Sequence, residues 1–226
     1  MKKTAILLAM TSAFSVNAMA EGVTGGIELD AKFVDGVKEY TTTNGSGIKA
    51  FVGYEGFGLS AKRKANFENE YNVNYKHDFE SFWLKGEYEF VDKKSVQGNV
   101  NDQNKFGVTV GGNVADMFDT SLRLRKDIDL NSNNGNARGD ITRFDLAAGR
   151  QLTERMYLNA KLVGQKQHEK KVIAGDKNKD MIYNVELRAT FNAIDNMIPY
   201  VEIGNEGKHG TDKRNTYGKV GIVFPF

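Results

Sequence analysis

The residues best suited to catalysis near neutral pH are the 3 histidines of this 226-residue sequence, His77, His168 and His209. Hydrolysis by a serine nucleophile needs a histidine base within reach of the serine and a polar side chain that orients the histidine. Ser81 follows His77 at a predicted turn, but no histidine has a serine two residues after it. We therefore expect no catalytic residue and no enzymatic activity.

One segment has the residue types of a calcium-binding loop. Asp176–Asp180 reads Asp-Lys-Asn-Lys-Asp, which matches the opening of such a loop. However, Met181 stands where the loop requires a glycine, and Leu187 stands where it requires a bidentate glutamate. There is also no cysteine to form a disulfide framework or a zinc ribbon. We expect neither a metal nor a cofactor.

Arginines and lysines that alternate with apolar residues form the largest group with binding chemistry. Arg123 and Arg125, for example, alternate with Leu122 and Leu124. A guanidinium group presents a planar fork of donors that fits a carboxylate. If the apolar neighbours face lipid, the charged residues face a common lumen. The predicted pore-lining residues that would attract anions are Arg123, Arg125, Arg143, Arg155 and Arg188, supported by Lys62, Lys64 and Lys85.

Strands must position these residues, because alternation of apolar and polar residues recurs in about a dozen segments after Glu21. A hydrophobic content of 40% and an aromatic content of 11% argue against disorder. No apolar run of helical membrane-spanning length occurs beyond the first twenty residues. The expected fold is all-β, a transmembrane antiparallel β-barrel of about 12 strands.

The connectors between the predicted strands distinguish this barrel from a soluble β-sandwich, because long and short connectors take turns. The long ones are Asp35–Gly47, Asn66–Glu70, Val91–Lys105, Asn131–Asp140, Gln165–Asp180 and Asn205–Asn215. The short ones are Glu55–Gly56, His77–Ser81, Asn113–Thr120, Gln151–Arg155 and Asn192–Met197. Tight turns at one end and longer loops at the other are typical of outer-membrane barrels.

The first twenty residues have the pattern of a secretory signal peptide. Met1–Thr4 is basic, Ala5–Met10 begins an apolar stretch, and Ala18–Ala20 is a small-residue cleavage site. We expect cleavage before Glu21 and a single barrel domain over residues 21–226. Removing Lys2 and Lys3 leaves 31 − 2 = 29 basic residues against 29 acidic ones. The mature chain has no net charge, so we expect no nucleic-acid partner.

The last residues alternate up to a terminal aromatic side chain, in the order Val220, Ile222, Phe224 and Phe226. This ending resembles the C-terminal signature of Gram-negative outer-membrane barrels. The resemblance implies that the barrel-assembly machinery reads these four residues. It also implies a location in the outer membrane of a Gram-negative bacterium after the signal peptide has been removed.

The whole mature chain resembles the small monomeric oligogalacturonate-specific porins, whose relatives also pass sialic acid. The resemblance is architectural and includes strand segments such as Glu70–Lys76 and Trp83–Glu89. It implies a monomeric porin for passive diffusion of small hydrophilic solutes, with a mild preference for anions such as acidic oligosaccharides. The match to the family's inward arginine tracks is partial, because lysines replace many arginines and Glu87, Glu89 and Asp145 interrupt the lining.

The same architecture leaves two other functions open. A closed barrel could serve as a surface adhesin or structural protein through its long loops. A twelve-stranded barrel can also be an enzyme, as outer-membrane phospholipase A is, although the histidine pattern does not favour one here. The expected partners besides the solutes and the assembly machinery are the lipid bilayer and lipopolysaccharide, whose phosphates could contact Lys166, Lys170, Lys171, Lys177 and Lys179.

Overall fold

The computed structural model describes residues 22–35, 46–93, 102–130, 140–168, 181–192, 196–207 and 212–226. The predicted signal peptide, the segment Asp176–Asp180 and His209 lie outside these residues. The strands are β1 (Val23–Val34), β2 (Gly47–Tyr54), β3 (Phe57–Lys64), β4 (Asn69–Asp78), β5 (Trp83–Asp92), β6 (Gln103–Val114), β7 (Phe118–Asp129), β8 (Ile141–Thr153), β9 (Met156–Gln167), β10 (Met181–Phe191), β11 (Ile198–Gly207) and β12 (Arg214–Pro225).

The strands form a closed antiparallel barrel in which every strand pairs with its sequence neighbours and β12 pairs with β1. Closure leaves no strand edge with unpaired backbone groups. At the seam, Gly25 and the terminal residue Phe226 exchange two backbone hydrogen bonds, of 3.3 and 3.0 Å. The predicted all-β barrel of about 12 strands is confirmed. In the described part of the chain, no helix is long and apolar enough to cross a membrane.

Tight turns lie at one end of the barrel, which we call the short-turn end; the other is the long-connector end. Glu55 and Gly56 join β2 to β3 with φ angles of 46° and 86°. A turn of two residues with positive φ angles has a backbone twist that matches the right-handed twist of the flanking strands. A Cβ atom on Gly56 would lie 2.3 Å from the Lys76 carbonyl oxygen, so only glycine fits. Ala115 and Asp116 make a similar turn between β6 and β7, with φ angles of 55° and 52°.

Some predicted connectors are too long. Residues 113–120 were expected to link two strands, but β6 and β7 continue to pair up to Val114 and Phe118. Their polar and small residues obscured the alternation there, although the backbone ladder continues. The predicted loop from Gln165 likewise begins later, because β9 extends to Gln167.

The outside of the barrel is apolar and the inside is polar. On β6, the outward residues Phe106, Val108 and Val110 are 49%, 55% and 41% exposed, whereas the inward residues Lys105 and Thr109 are buried. This distribution is the reverse of that in a soluble protein, where large apolar side chains are covered. It is the distribution expected when the outer surface contacts lipid hydrocarbon.

Candidate functional site

A cavity of about 1030 Å³ extends into the barrel from the short-turn end. Its wall carries both signs of charge, with Lys49, Arg123 and Lys219 among the cations and Glu28 and Glu87 among the carboxylates. Charged groups of both signs retain water, because desolvating them is unfavourable. The lumen is therefore the candidate functional site.

The structure places four of the predicted pore-lining residues, Lys62, Lys85, Arg123 and Arg188, on the wall of this cavity. Lys64, Arg125 and Arg143 also lie on the inner face, where each forms an ion pair with an inward carboxylate. Arg155 lies elsewhere. It is an exposed residue of the turn between β8 and β9, so it stands at the short-turn end and not on the barrel wall.

Arg123, Arg125 and Arg143 form a group on neighbouring strands that we call the arginine cluster. Asp145 is shared by two of them, because it accepts hydrogen bonds from Arg123 Nε at 2.7 Å and from Arg143 Nε at 2.6 Å. Arg125 makes a bidentate pair with Asp127 through bonds of 2.6 and 2.9 Å. Three guanidinium groups are thus held in place by two aspartates, with donors of each available for further hydrogen bonds.

Arg123 also reaches across β6 to bind a carboxylate of β5. Its Nη1 donates to Glu87 Oε1 at 3.0 Å. Gly107 of β6 lies beneath this bond, and a Cβ atom there would be 2.6 Å from Glu87 Oε1. The inward glycine therefore gives the ion pair room to lie flat against the wall.

The opposite wall contains a second charged group around Asp30, whose side chain is fully buried. Lys62 Nζ lies 2.6 Å from Asp30 Oδ2, and Lys219 Nζ lies 3.5 Å from the same oxygen. Nearby, Arg188 donates to Glu202 at 2.7 Å and its guanidinium lies 4.3 Å from the centre of the Tyr200 ring.

The strand register places cations directly opposite one another on the inner wall. The four such pairs are Lys32–Lys219, Lys49–Lys62, Lys76–Lys85 and Arg125–Arg143. In the registers of the described strands, no two carboxylates are opposed in this way. Like charges directly opposite each other destabilise a sheet, and among the described residues ion pairs with carboxylates elsewhere on the wall offset this for every cation of the four pairs except Lys49.

Sequence reasoning missed several residues of the inner wall. Glu70 lines the cavity and pairs with Lys64 at 2.6 Å, but it was assigned to a connector. Continuing the alternation back from Asn72 would have found it. Glu206, which pairs with Lys32 at 3.0 Å, was missed for the same reason. These carboxylates make the wall more evenly charged than predicted.

His77, the histidine considered for catalysis, lies on the outer surface among aromatic rings. Its ring centre is 6.5 Å from that of Tyr75 and 4.6 Å from that of Phe79. Such aromatic side chains near strand ends are typical of the interfacial girdles of membrane barrels. Its contacts are therefore those of a packing residue at the short-turn end.

A closed barrel of twelve antiparallel strands that is apolar outside and charged inside has the architecture of a transmembrane β-barrel. Solved structures with a similar fold are porins. The NanC porin aligns with a TM-score of 0.63 at 10% identity, covering 88% of this chain and 98% of that one. The KdgM porin aligns with a TM-score of 0.61 at 18% identity, covering 89% and 99%.

A further structure, of the KdgM porin in complex with disordered oligogalacturonate, gives a TM-score of 0.60 at 17% identity and covers 89% of this chain and 99% of that one. The sequence itself matches no family profile and none of the curated proteins. At these identities the likeness concerns the fold, and it confirms the architectural resemblance seen in the sequence.

Proposed function

We propose that this protein is an outer-membrane porin that allows passive diffusion of small hydrophilic solutes, with a mild preference for anions. The observation that carries the proposal is the set of four opposed cation pairs on the inner wall, without an opposed carboxylate pair in the described strands. Like charges placed directly opposite each other destabilise a sheet, and seven of these eight cations are compensated by an ion pair with a carboxylate elsewhere on the wall. A lumen that passes anions explains why cations alone are kept in this arrangement.

Lys49 supports an anion preference most directly. It lines the cavity, and among the described residues no carboxylate lies within ion-pair distance of it, although Glu28 is its register partner on β1. Its ammonium group lies 5.8 Å from the centre of the Phe51 ring. Most other wall cations are partly neutralised by an acidic partner, so the preference for anions is mild.

The arginine cluster supports acidic oligosaccharides as a solute class. Guanidinium groups bind carboxylates through parallel hydrogen bonds, and an acidic sugar would compete with Asp127 and Asp145 for these donors. The KdgM porin, whose fold is similar, has been solved with oligogalacturonate. For the present chain this solute remains part of the proposal.

The proposed location is the outer membrane, after removal of the signal peptide. The exposed apolar outer surface supports it, because hydrocarbon covers such a surface where water would not. One chain closes its own lumen and needs no second copy to form a channel, and we propose that the porin is a monomer. Val220 and Phe224 of β12 and the residue after it, Phe226, have exposed side chains. Together with Ile222 they form the proposed signal for the assembly machinery.

The experiment is single-channel recording of the purified protein in a planar bilayer with a salt gradient. We expect stable conductance steps and a reversal potential of the sign that anion selectivity produces under the salt gradient. A bilayer that stays silent in the presence of folded protein would overturn the porin proposal, and a reversal potential on the cation side would overturn the anion preference. Acidic oligosaccharides are then added as blockers, with neutral oligosaccharides of equal length as the control.

A further inference from the structure

The outward surface of the barrel carries a second group of cations near the long-connector end. These are Arg63, Lys126, Lys166 and Arg214. The arginines are occupied locally, since Arg63 Nη1 donates to the Phe67 carbonyl at 2.9 Å and Arg214 Nη2 donates to the Tyr183 carbonyl at 2.8 Å. The two lysines lie closer together and have few partners among the described residues.

The strand register places Lys126 of β7, Thr142 of β8 and Lys166 of β9 side by side. Adjacent strands are about 4.8 Å apart, so the Cα atoms of the two lysines are about 10 Å apart. Thr142 lies between them and is exposed, as is Lys166. His168 adds a fourth polar group, with Nε2 2.8 Å from Thr142 Oγ1. We call these four residues the outer basic row.

Within the part of the chain that the structure describes, the outer basic row is only partly neutralised. Lys126 Nζ lies 3.3 Å from Asp140 Oδ2, and both side chains are more than a third exposed. An exposed ion pair of this kind contributes little and exchanges readily with other partners. An incoming anion therefore meets two lysines, one hydroxyl and one weakly held carboxylate.

Apolar residues continue directly from the outer basic row toward the middle of the barrel. The next row consists of Leu124, Phe144 and Gly164, and the one after it of Leu122, Leu146 and Leu162. The Phe144 ring lies over Gly164, where a Cβ atom would be 2.1 Å from the ring. Leu124, Leu146 and Leu162 are 60%, 48% and 51% exposed. The surface is thus cationic near the long-connector end and apolar toward the middle of the barrel.

We propose that the outer basic row and the apolar rows beneath it bind a phosphorylated glycolipid of the outer leaflet. A phosphate lies between Lys126 and Lys166 and accepts a hydrogen bond from Thr142, while acyl chains lie against Leu124, Leu146 and Leu162. The long-connector end is the outer end of a barrel of this class, so the site faces the leaflet that holds phosphorylated glycolipid. This inference rests on the proposed membrane location and is independent of conduction through the lumen.

The continuity of the cationic and apolar surfaces favours a lipid over a free anion. Two lysines on the outer surface would by themselves hold inorganic phosphate weakly, because water screens their charges. Apolar contact adds affinity in proportion to the area that acyl chains cover. A lipid uses both surfaces at once, whereas free phosphate uses only the cationic one.

The test titrates the full chain, folded in a neutral detergent, with bisphosphorylated lipid A and counts bound lipid by native mass spectrometry. Dephosphorylated lipid A and inorganic phosphate are the comparison ligands. We expect lipid A to bind at least tenfold more tightly than either. Equal binding of the dephosphorylated lipid would show that the phosphate group is not recognised. Equal binding of inorganic phosphate would show that the ligand is a free anion and not a lipid.

The variant Lys126→Gln/Lys166→Gln should lose at least tenfold in affinity for lipid A. Arg150→Gln is the matched control, since Arg150 is an outward cation on β8 near the short-turn end, 5.3 Å from the centre of the Phe118 ring. A double variant that binds as the original protein does would reject the site. Heat-dependent gel mobility verifies that each variant is folded.

Conductance is recorded from the same samples. Channels that conduct but do not prefer lipid A would reject this inference and leave the porin proposal intact. Preferential binding of lipid A without conductance would support this inference and reject the porin proposal.

Discussion

The hydroxyl group of Tyr200 donates a hydrogen bond of 2.6 Å to Glu28, although β12 separates their strands. Gly221 lies beneath the tyrosine ring, and a Cβ atom there would be 2.3 Å from the ring. The glycine therefore lets a side chain of β11 pass over β12 to reach β1. The bond ties three strands together at the seam where the barrel closes.

The same arrangement occurs elsewhere on the inner wall. Tyr157 of β9 passes over Gly149 of β8 and donates to Asp119 of β7 at 3.0 Å. The Glu87–Arg123 pair passes over Gly107 in the same way. Side chains that lie along the wall take up less of the lumen than side chains that point to its centre, so these glycines connect the packing of the wall with the proposed diffusion path.

Gly221→Val should displace the Tyr200 ring and break its bond to Glu28. We expect a loss of about 1–3 kcal/mol in the free energy of unfolding, which is the usual effect of overpacking, together with a smaller conductance as the ring moves into the lumen. Urea unfolding followed by the fluorescence of the single tryptophan measures the first effect. Gly218→Ala is the control, because its Cβ atom meets nothing within 4 Å; equal effects of both substitutions would contradict the prediction.

Lys49→Glu should move the reversal potential toward the cation side. An ion passing about 8 Å away interacts with each unit of charge by about 0.5 kcal/mol in water, and salt roughly halves this. A change of two units then lowers the anion-to-cation permeability ratio about fivefold. Arg150→Glu makes the same change on the outer surface and should leave the ratio unaltered. A shift caused equally by both variants would mean that the ratio does not report the lumen.

Glu87→Gln should increase the anion preference without unfolding the barrel. The substitution removes one negative charge from the cavity wall, while Arg123 keeps its bond to Asp145. We expect a shift of the reversal potential opposite in sign to that of Lys49→Glu and about half its size. Planar-bilayer recording measures both shifts, and two shifts of the same sign would refute the assignment of these residues to one lumen.

Asp145→Asn should weaken the fold and strengthen block by acidic oligosaccharides. The aspartate side chain is 6% exposed and is shared by Arg123 and Arg143, so its neutralisation should lower the free energy of unfolding by about 3 kcal/mol. The same change releases guanidinium donors for a carboxylate of the solute. Block is measured as a function of oligogalacturonate concentration. Unchanged block with reduced stability would limit the arginine cluster to a structural role.

The facing of most residues could be predicted from the sequence, whereas the partners of those residues could not. Alternation of Phe106, Val108 and Val110 with polar neighbours correctly predicted an apolar outer face. Arg155 was assigned to the pore lining although it ends the predicted connector Gln151–Arg155, because alternation alone does not show where a strand begins. Glu70 was placed in a connector for the same reason.

The sequence by itself determined the all-β class, the number of strands and the side on which most charges lie. These follow from a period of two residues, which is a local property of each strand. Only the tertiary structure decided that Arg125 faces Arg143, that Arg123 reaches Glu87 over Gly107, and that β12 closes on β1. Such relationships depend on the register between strands, which turn geometry and barrel closure set together. No single segment of the chain contains that information.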